Sequence, residues 1–462
     1  MPTFELRGSL LGVLVLSVLS FAVAIGWTLD LHNADSLIPT LVSLDFWLPF
    51  YWGQDRFGML LPLVAAPVRD SFWNLVAQNA LGVFLMLAGA YVVALKCAVR
   101  QPEIVALALL SLVLAWPAEK TAFQLLTTDQ SYSPALGLYA FAFGLLRPDS
   151  SWLTRVCAAL LMALGAWTNA GTGLLMLAVF TVAAAMPRLR PDAMWLLGGV
   201  ILSLAGHLAL QKLAPGVRLD TSHLTVASLA EITSLTVGFW SDAYQRFLGP
   251  AVWLTVPTGL LALALERRNA TARQAVTATV VGCALYGLVM VVFFGGTGRH
   301  ITPVLPLLLG AILVVFARHL PAVSDRFVVV GLTGLVLLQS GADWPEAGRR
   351  RLLTRFAEGH AIELYQEGVT VVTGDYWRVW PYAFALNLLH EGVSGDRPVL
   401  PVALRSEDFY LRRAQHIRPG TKIAVVPAAD YHYWAVRGPR AELSVVRVTD
   451  DYELAIVKSV GE

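Results

Sequence analysis

Long apolar runs separated by short polar stretches make up the first three quarters of the chain. Eleven of them carry almost no charge: residues 8 to 29, 72 to 96, 103 to 117, 134 to 147, 152 to 168, 171 to 186, 193 to 213, 249 to 265, 275 to 295, 301 to 317 and 327 to 343. As helices rising about 1.5 Å per residue, most of these runs cross a hydrocarbon core of about 30 Å, and the shorter ones need a thinned bilayer or burial among neighbours. Near Trp344 the pattern changes. The stretch EAGRRRLLTRFAEGHAIELYQEG reads as an amphipathic surface helix, and beyond it the apolar runs shrink to strand length at Val369 to Thr373, Val399 to Val402, Ile423 to Val426, Leu443 to Val448 and Glu453 to Val457. They alternate with helical stretches around Pro381 to His390 and Glu407 to His416, which predicts a small α/β layer domain. The expected fold is a polytopic α-helical membrane protein of about eleven transmembrane helices over residues 1 to 345, followed by a soluble α/β domain over 346 to 462.

Composition agrees. Of 462 residues, 56% are hydrophobic and 14% charged, against about 25% charged in an ordinary soluble domain. The formal net charge is +2, and no Lys/Arg-rich run offers a track for a phosphate backbone, so nucleic acid is not expected as a partner. Cys97, Cys157 and Cys283 all fall in or beside apolar runs and are expected to behave as small buried hydrophobes. Ala22-Val23-Ala24 resembles a signal-peptidase site, but the apolar stretch before it is too long for a signal peptide's core, and an uncleaved anchor is expected. Flanking Lys and Arg number twelve on one side of the runs and seven on the other if the N-terminus is cytoplasmic, which favours that orientation. An odd number of crossings then puts the loop from Asp30 to Asp70, residues 118 to 133 and 214 to 248, the Gly295 to His300 turn and the C-terminal domain all on the outer face.

The loop from Asp30 to Asp70 is the longest early interruption and holds five carboxylates, two arginines and a cluster of aromatics. Connections this long tend to be functional or disordered, and this one is too aromatic to be disordered. Asp30 and Asp35 follow the first span directly. A carboxylate near the bilayer can serve as a general base or hold a metal; equally, Asp35-Ser36 can cap a short helix through Ile38 to Leu44. Asp30, His32 and Asp35 together are a possible divalent-cation site, so a metal cofactor stays open. In Trp52-Gly53-Gln54-Asp55-Arg56-Phe57-Gly58 the glycines let backbone approach a ligand and Arg56 suits a phosphate, while the alternative is an interfacial aromatic belt with a solvated ion pair. Trp47, Tyr51 and Trp52 offer flat aromatic faces for stacking a ligand, or an interfacial anchor. Gly295-Gly296-Thr297-Gly298-Arg299-His300 opens the tenth run as an anion-binding turn or a hairpin with a snorkelling arginine. Glu119 and Lys120 leave the third run together, pointing apart.

FYWGQDRFGMLLPLVAAP resembles a motif of bacterial GT-C glycosyltransferases, polytopic enzymes related to protein O-mannosyltransferases and lipid A aminoarabinose transferases. Ala166-Trp167-Thr168-Asn169 is similar to a Trp-Thr-Asn element of the same proteins, and Gly298-Arg299-His300 to Pro306 to their late Arg-Tyr and proline-containing span. Tyr376-Trp377 with Trp380-Pro381-Tyr382 resembles a segment of their C-terminal domains. The resemblance covers the layout of most of the chain but only short islands of sequence. His300 stands where Tyr is usual, and Leu60-Leu61-Pro62 replaces a stretch that often contains Glu.

The resemblance implies inverting transfer of a sugar from a polyprenyl-phosphate carrier to an acceptor (glycan, lipid or protein) on the outer face of a bacterial inner membrane. It implies Asp35 as the base on the acceptor, with Asp30 as runner-up, and Arg299 and Arg56, with Lys120 and His300, as holders of the donor phosphate. Asp55, Trp52, Tyr51, Glu119 and Asn169 are the candidate substrate contacts. The expectation is that Asp35 and Arg299 meet in one pocket at the outer leaflet. Two other classes share the spans: a transporter or lipid flippase, which needs a polar path through them, and a non-catalytic assembly protein, in which the loop acids are dispersed.

Overall fold

The computed structural model describes residues 6–45, 47, 49–50, 58–116, 118–147, 149–213, 229–249, 252–266, 269–294, 298–319, 325–357, 360–390, 399–403, 417–426 and 441–460. Two units emerge from the contacts, one of Met1–Ala24, Asn79–Leu210 and Leu219–Ala342 and one of Ile25–Gln78, Gln211–Arg218 and Asp343–Glu462. In chain order the helices are α1 (Leu6–Ile25), α2 (Ala34–Leu44), α3 (Leu60–Ala65), α4 (Ser71–Lys96), α5 (Pro102–Leu114), α6 (Glu119–Leu126), α7 (Tyr132–Leu145), α8 (Trp152–Thr168), α9 (Ala170–Ala185), α10 (Arg190–Leu213), α11 (Leu229–Ala243), α12 (Val252–Leu265), α13 (Ala270–Phe294), α14 (Val304–His319), α15 (Asp325–Ser340), α16 (Pro345–Ala357), α17 (His360–Gln366) and α18 (Tyr376–His390). The strands are β1 (Val371–Gly374), β2 (Leu400–Ala403), β3 (Lys422–Val426), β4 (Ala441–Val448) and β5 (Glu453–Val460).

The first unit is helical. Each of the eleven apolar runs holds a helix, but among the described residues five stretches are long and apolar enough to cross a membrane: Leu11–Leu31, Ser71–Lys96, Arg190–Ala209, Ala270–Phe293 and Phe327–Phe356. The last of these continues through a turn into α16, whose four arginines exclude it from hydrocarbon, so its apolar part is α15. The remaining helices are shorter; α5, with 13 residues, rises about 20 Å and lies against α14 and α15. Small residues let the helices approach. A Cβ at Gly137 on α7 would overlap the Leu85 carbonyl of α4, one at Gly199 on α10 the Ala159 carbonyl of α8, and one at Gly282 on α13 the Val179 backbone of α9. Close backbone approach of this kind supplies the van der Waals contact that replaces the hydrophobic effect between helices in lipid. Outward faces are apolar, with Phe327 84% and Leu338 83% exposed, a surface that a bilayer covers.

Two expectations change here. The stretches 118 to 133 and 214 to 248, read as loops, contain α6 and α11, because their apolar faces are too short to register as spans. Cys157 is exposed on the outward face of α8, whereas Cys283 is buried as expected. The helix expected over Glu407 to His416 lies outside the described residues.

The second unit combines a mixed sheet with the first loop. Its strands run in the order β2-β1-β3-β5-β4, β1 pairing in parallel with both β2 and β3, and β5 antiparallel with β3 and β4. These five strands overlap the five β-rich runs of the sequence. Gly374 ends β1 at φ +126°, with the Val426 carbonyl occupying the space a Cβ would need. The glycine therefore serves the close approach of β1 and β3. Helix α18 packs on β1 and β2, and also on α2 from the first loop and on α16. Its Trp380 is fully buried, and Phe384 meets Phe356 of α16 edge to face at 6.2 Å.

Candidate functional site

The chain leaves α1 through a 3-10 turn, Leu29–Leu31, and re-enters helix at α2. The cap of α2 is Asn33, not Asp35: the Asn33 side chain accepts from the Ser36 N–H, and Ser36 Oγ accepts from the Asn33 N–H, a reciprocal capping box. That arrangement starts the helix at Ala34 instead of Ile38 and leaves the Asp35 carboxylate uncommitted to capping. Asp35 sits half-buried in the first turn, where the helix N-terminus favours negative charge. Its Oδ1 accepts a hydrogen bond from the phenol of Tyr376, the first residue of α18, at 2.5 Å. Acid and phenol are 341 positions apart in the sequence.

The rest of the first loop is held by a buried amide network. Asn74 Nδ2 donates to Ser43 Oγ and to the carbonyls of Ala65 and Val68, while Ser43 Oγ donates to the Pro62 carbonyl. Gln78 Nε2 donates to Asn74 Oδ1 and to the carbonyl of Pro39 inside α2. These bonds tie α2, α3 and the head of α4 into one block, since buried polar groups are costly unless paired. Trp47 is pinned to the same block through Nε1, which donates to the Met59 carbonyl at 2.7 Å.

Asp30 is placed differently from Asp35. Its side chain is 61% exposed and pairs with Arg351 of α16 at 3.1 Å. His32 is buried, with Nδ1 3.0 Å from Ser36 Oγ. Burial, reinforced by the charge of Arg355, pulls the His32 imidazole down to about 3, so it is neutral at physiological pH. The suggested Asp30, His32 and Asp35 cation site is not assembled, because the first acid turns to an arginine and the histidine into the core. Among the described residues no group of three His, Cys, Asp or Glu is placed to hold a metal ion.

The other candidates belong to the first unit. Lys120 and Glu119 are exposed at the start of α6. Gln124 of the same helix accepts from Thr302 Oγ1 at 2.9 Å, which fastens α6 to the 3-10 turn Gly298–Ile301 that carries Arg299 and His300. Asn169 is buried: it caps α9 through the Thr172 N–H and donates to the Gln130 carbonyl. Lys120, Asn169 and the turn holding Arg299 and His300 are thus linked through α6 and the loop after it. In that loop is a residue the sequence reading passed over. Asp129 is 4% exposed, and its Oδ2 accepts from Gln130 Nε2 at 3.0 Å; a buried carboxylate is expensive unless used. The polar run Thr127 to Ser131 between two apolar helices was the available signal. The Arg299 side chain and all of Tyr51, Trp52, Asp55 and Arg56 lie outside the described residues. Asp35 and Arg299 fall in different units.

No protein-family model matches the sequence, and no curated protein matches it. Solved structures do match by shape. ArnT from Cupriavidus metallidurans bound to undecaprenyl phosphate superposes with a TM-score of 0.51 at 13% identity, over 98% of this chain and 98% of that one. The chain has a GT-C fold. The apo state of ArnT matches equally well, at a TM-score of 0.51 and 12% identity over 97% of this chain and 98% of that one. Coverage of 98% of both chains means that the likeness of fold takes in the C-terminal sheet as well as the helices, at 13% sequence identity.

Proposed function

We propose that this chain is a membrane glycosyltransferase that moves a sugar from a polyprenyl-phosphate donor to an acceptor on the extracytoplasmic face. The observation that carries the proposal is Asp35, an acid kept out of the helix cap at the end of the first span and oriented by Tyr376. The likeness to a structure holding undecaprenyl phosphate supports the donor class. In the proposed step the acceptor hydroxyl gives its proton to the Asp35 carboxylate and its oxygen attacks the anomeric carbon. The bond from that carbon to the phosphate oxygen breaks, and polyprenyl phosphate leaves with the electron pair, inverting the centre. Lys120, Arg299 and His300, with Arg56, are the groups assigned to the departing phosphate, where charge stabilisation is commonly the largest catalytic contribution.

The sidedness is supported by the excess of basic residues on the opposite face. Helix α16 pairs with Asp30 and Asp70, at the two ends of the first loop, and with Asp343 after α15, which supports an even number of crossings between the first loop and the C-terminal domain and hence a shared face. The test is direct. The purified full-length protein, given a radiolabelled polyprenyl-phosphate sugar and a bacterial membrane-lipid extract, is expected to transfer label to an extract component and release polyprenyl phosphate. Donor left intact with every acceptor fraction would contradict the assignment.

A further inference from the structure

Helix α18 is shielded along almost its whole length and opens to solvent in its first turn. From Tyr376 to His390 only Trp377 and Arg378 are exposed, and they directly follow the phenol that bonds to Asp35. The Tyr376 ring meets two tryptophans edge to face: Trp380, which has no exposed surface, at 6.0 Å, and Trp377, 52% exposed, at 5.4 Å. Trp380 anchors this aromatic cluster in the domain interior, and Trp377 carries it to the surface. One phenol ring therefore links a half-buried carboxylate to an open, flat, apolar face. The backbone beneath that face is fixed. The Trp377 N–H donates to Asp375 Oδ1 at 3.0 Å, and the Asp375 N–H donates to the Val426 carbonyl of β3 at 2.8 Å.

We infer that Trp377 binds the acceptor, and that the acceptor presents a sugar ring whose C–H face stacks on the indole. The inference rests on the proton-accepting role proposed for Asp35 and names the chemical class of the acceptor at that site. A hydroxyl delivered to Asp35 arrives on the group that carries it, and a sugar ring joins a rim of hydroxyls to an apolar C–H face. The rim suits a carboxylate, which accepts hydrogen bonds, and a phenol, which both donates and accepts. The face suits an aromatic wall, the usual partner of convergent polar groups in a small-ligand site. The surroundings of the indole do not suit an anchor in hydrocarbon. Arg378, the next residue, pairs with Asp451 at 3.9 Å, and the same carboxylate stands 3.0 Å from His360 Nε2.

The experiment titrates the full-length protein in mild detergent with the glycolipid fraction of a bacterial membrane extract, or with its sugar-free phospholipid fraction, and reads retention by native mass spectrometry. Transfer from labelled donor is measured on the same preparations. Wild type should retain glycolipid in preference to phospholipid. Loss of one aromatic contact weakens binding about three- to tenfold, and Trp377→Ala and Trp377→Leu should both raise the glycolipid concentration for half-maximal retention and half-maximal rate by that factor. The rate at saturation and donor retention should stay within about twofold, the pattern of a lost binding contact. Trp377→Phe keeps a flat face and should recover most of the loss. Unchanged glycolipid retention in Trp377→Ala overturns the inference, and so does a wild type that prefers phospholipid. Full retention in Trp377→Leu also overturns it, because a merely apolar anchor survives that change. Transfer with retention indifferent to Trp377 removes only the stacking contact, whereas Trp377-dependent glycolipid retention without transfer supports the contact and removes the transferase reading.

Discussion

Asp35→Asn should reduce sugar transfer by about a hundredfold to ten-thousandfold, the range that removal of a positioned general base produces. The substitution isolates the proton-accepting role. An amide has the shape of the carboxylate, and its oxygen still accepts from the Tyr376 hydroxyl, so α2 and α18 stay in contact and donor retention should change by no more than a few fold. Tyr376→Phe leaves the carboxylate but removes its orienting partner, and a smaller loss, about tenfold, is expected from a hydrogen bond of ordinary strength. Initial rates with labelled donor, measured beside donor retention on the same preparations, separate the two roles. Loss of donor retention in Asp35→Asn equal to the loss of rate would make the acid a binding group, and an unchanged rate would remove it from the chemistry.

The largest expected effect on stability is that of Trp380→Ala. Trp380 has no exposed surface and stands one turn along α18 from Tyr376 with the rings 6.0 Å apart. Truncating a buried tryptophan costs about 3 to 5 kcal/mol, a large fraction of the stability of a domain this size. Trp377, 52% exposed on the same helix, is the control, and its change to Ala should alter stability by less than about 0.5 kcal/mol. Thermal unfolding in detergent, with limited proteolysis of the C-terminal region, checks both. Because α18 also carries the phenol that orients Asp35, Trp380→Ala should lower transfer along with stability, whereas Trp377→Ala should leave stability intact.

How much of this was legible in the sequence depends on the range of the interaction. The apolar runs announced their helices because each is a local property of about twenty residues, and the five β-rich runs announced their strands for the same reason. Asp35 could be picked out since an acid immediately after a span is unusual wherever it occurs. The Asn33 capping box was also present in the sequence, three residues apart, but Asp35-Ser36 offered a competing cap and took precedence. Longer-range features were not readable. Nothing near Tyr376 points to an acid more than three hundred positions earlier, and nothing in RRR at 349 to 351 says that two of those side chains answer carboxylates at separate span ends. Asp129 was missed because, without its burial, it is one loop acid among many. The hydrogen bonds by which the Asn169 amide caps α9 and meets the Gln130 carbonyl were likewise not readable from its neighbours in sequence.

The most direct test is the position of a bound donor. A structure of the full-length protein loaded with a non-transferable polyprenyl-phosphate sugar should place the anomeric carbon within about 6 Å of the Asp35 carboxylate, the span of one acceptor hydroxyl in hydrogen-bond and attack range, with the phosphate against Lys120, Arg299 or His300. Density for the sugar at a site that Asp35 does not line would contradict the account.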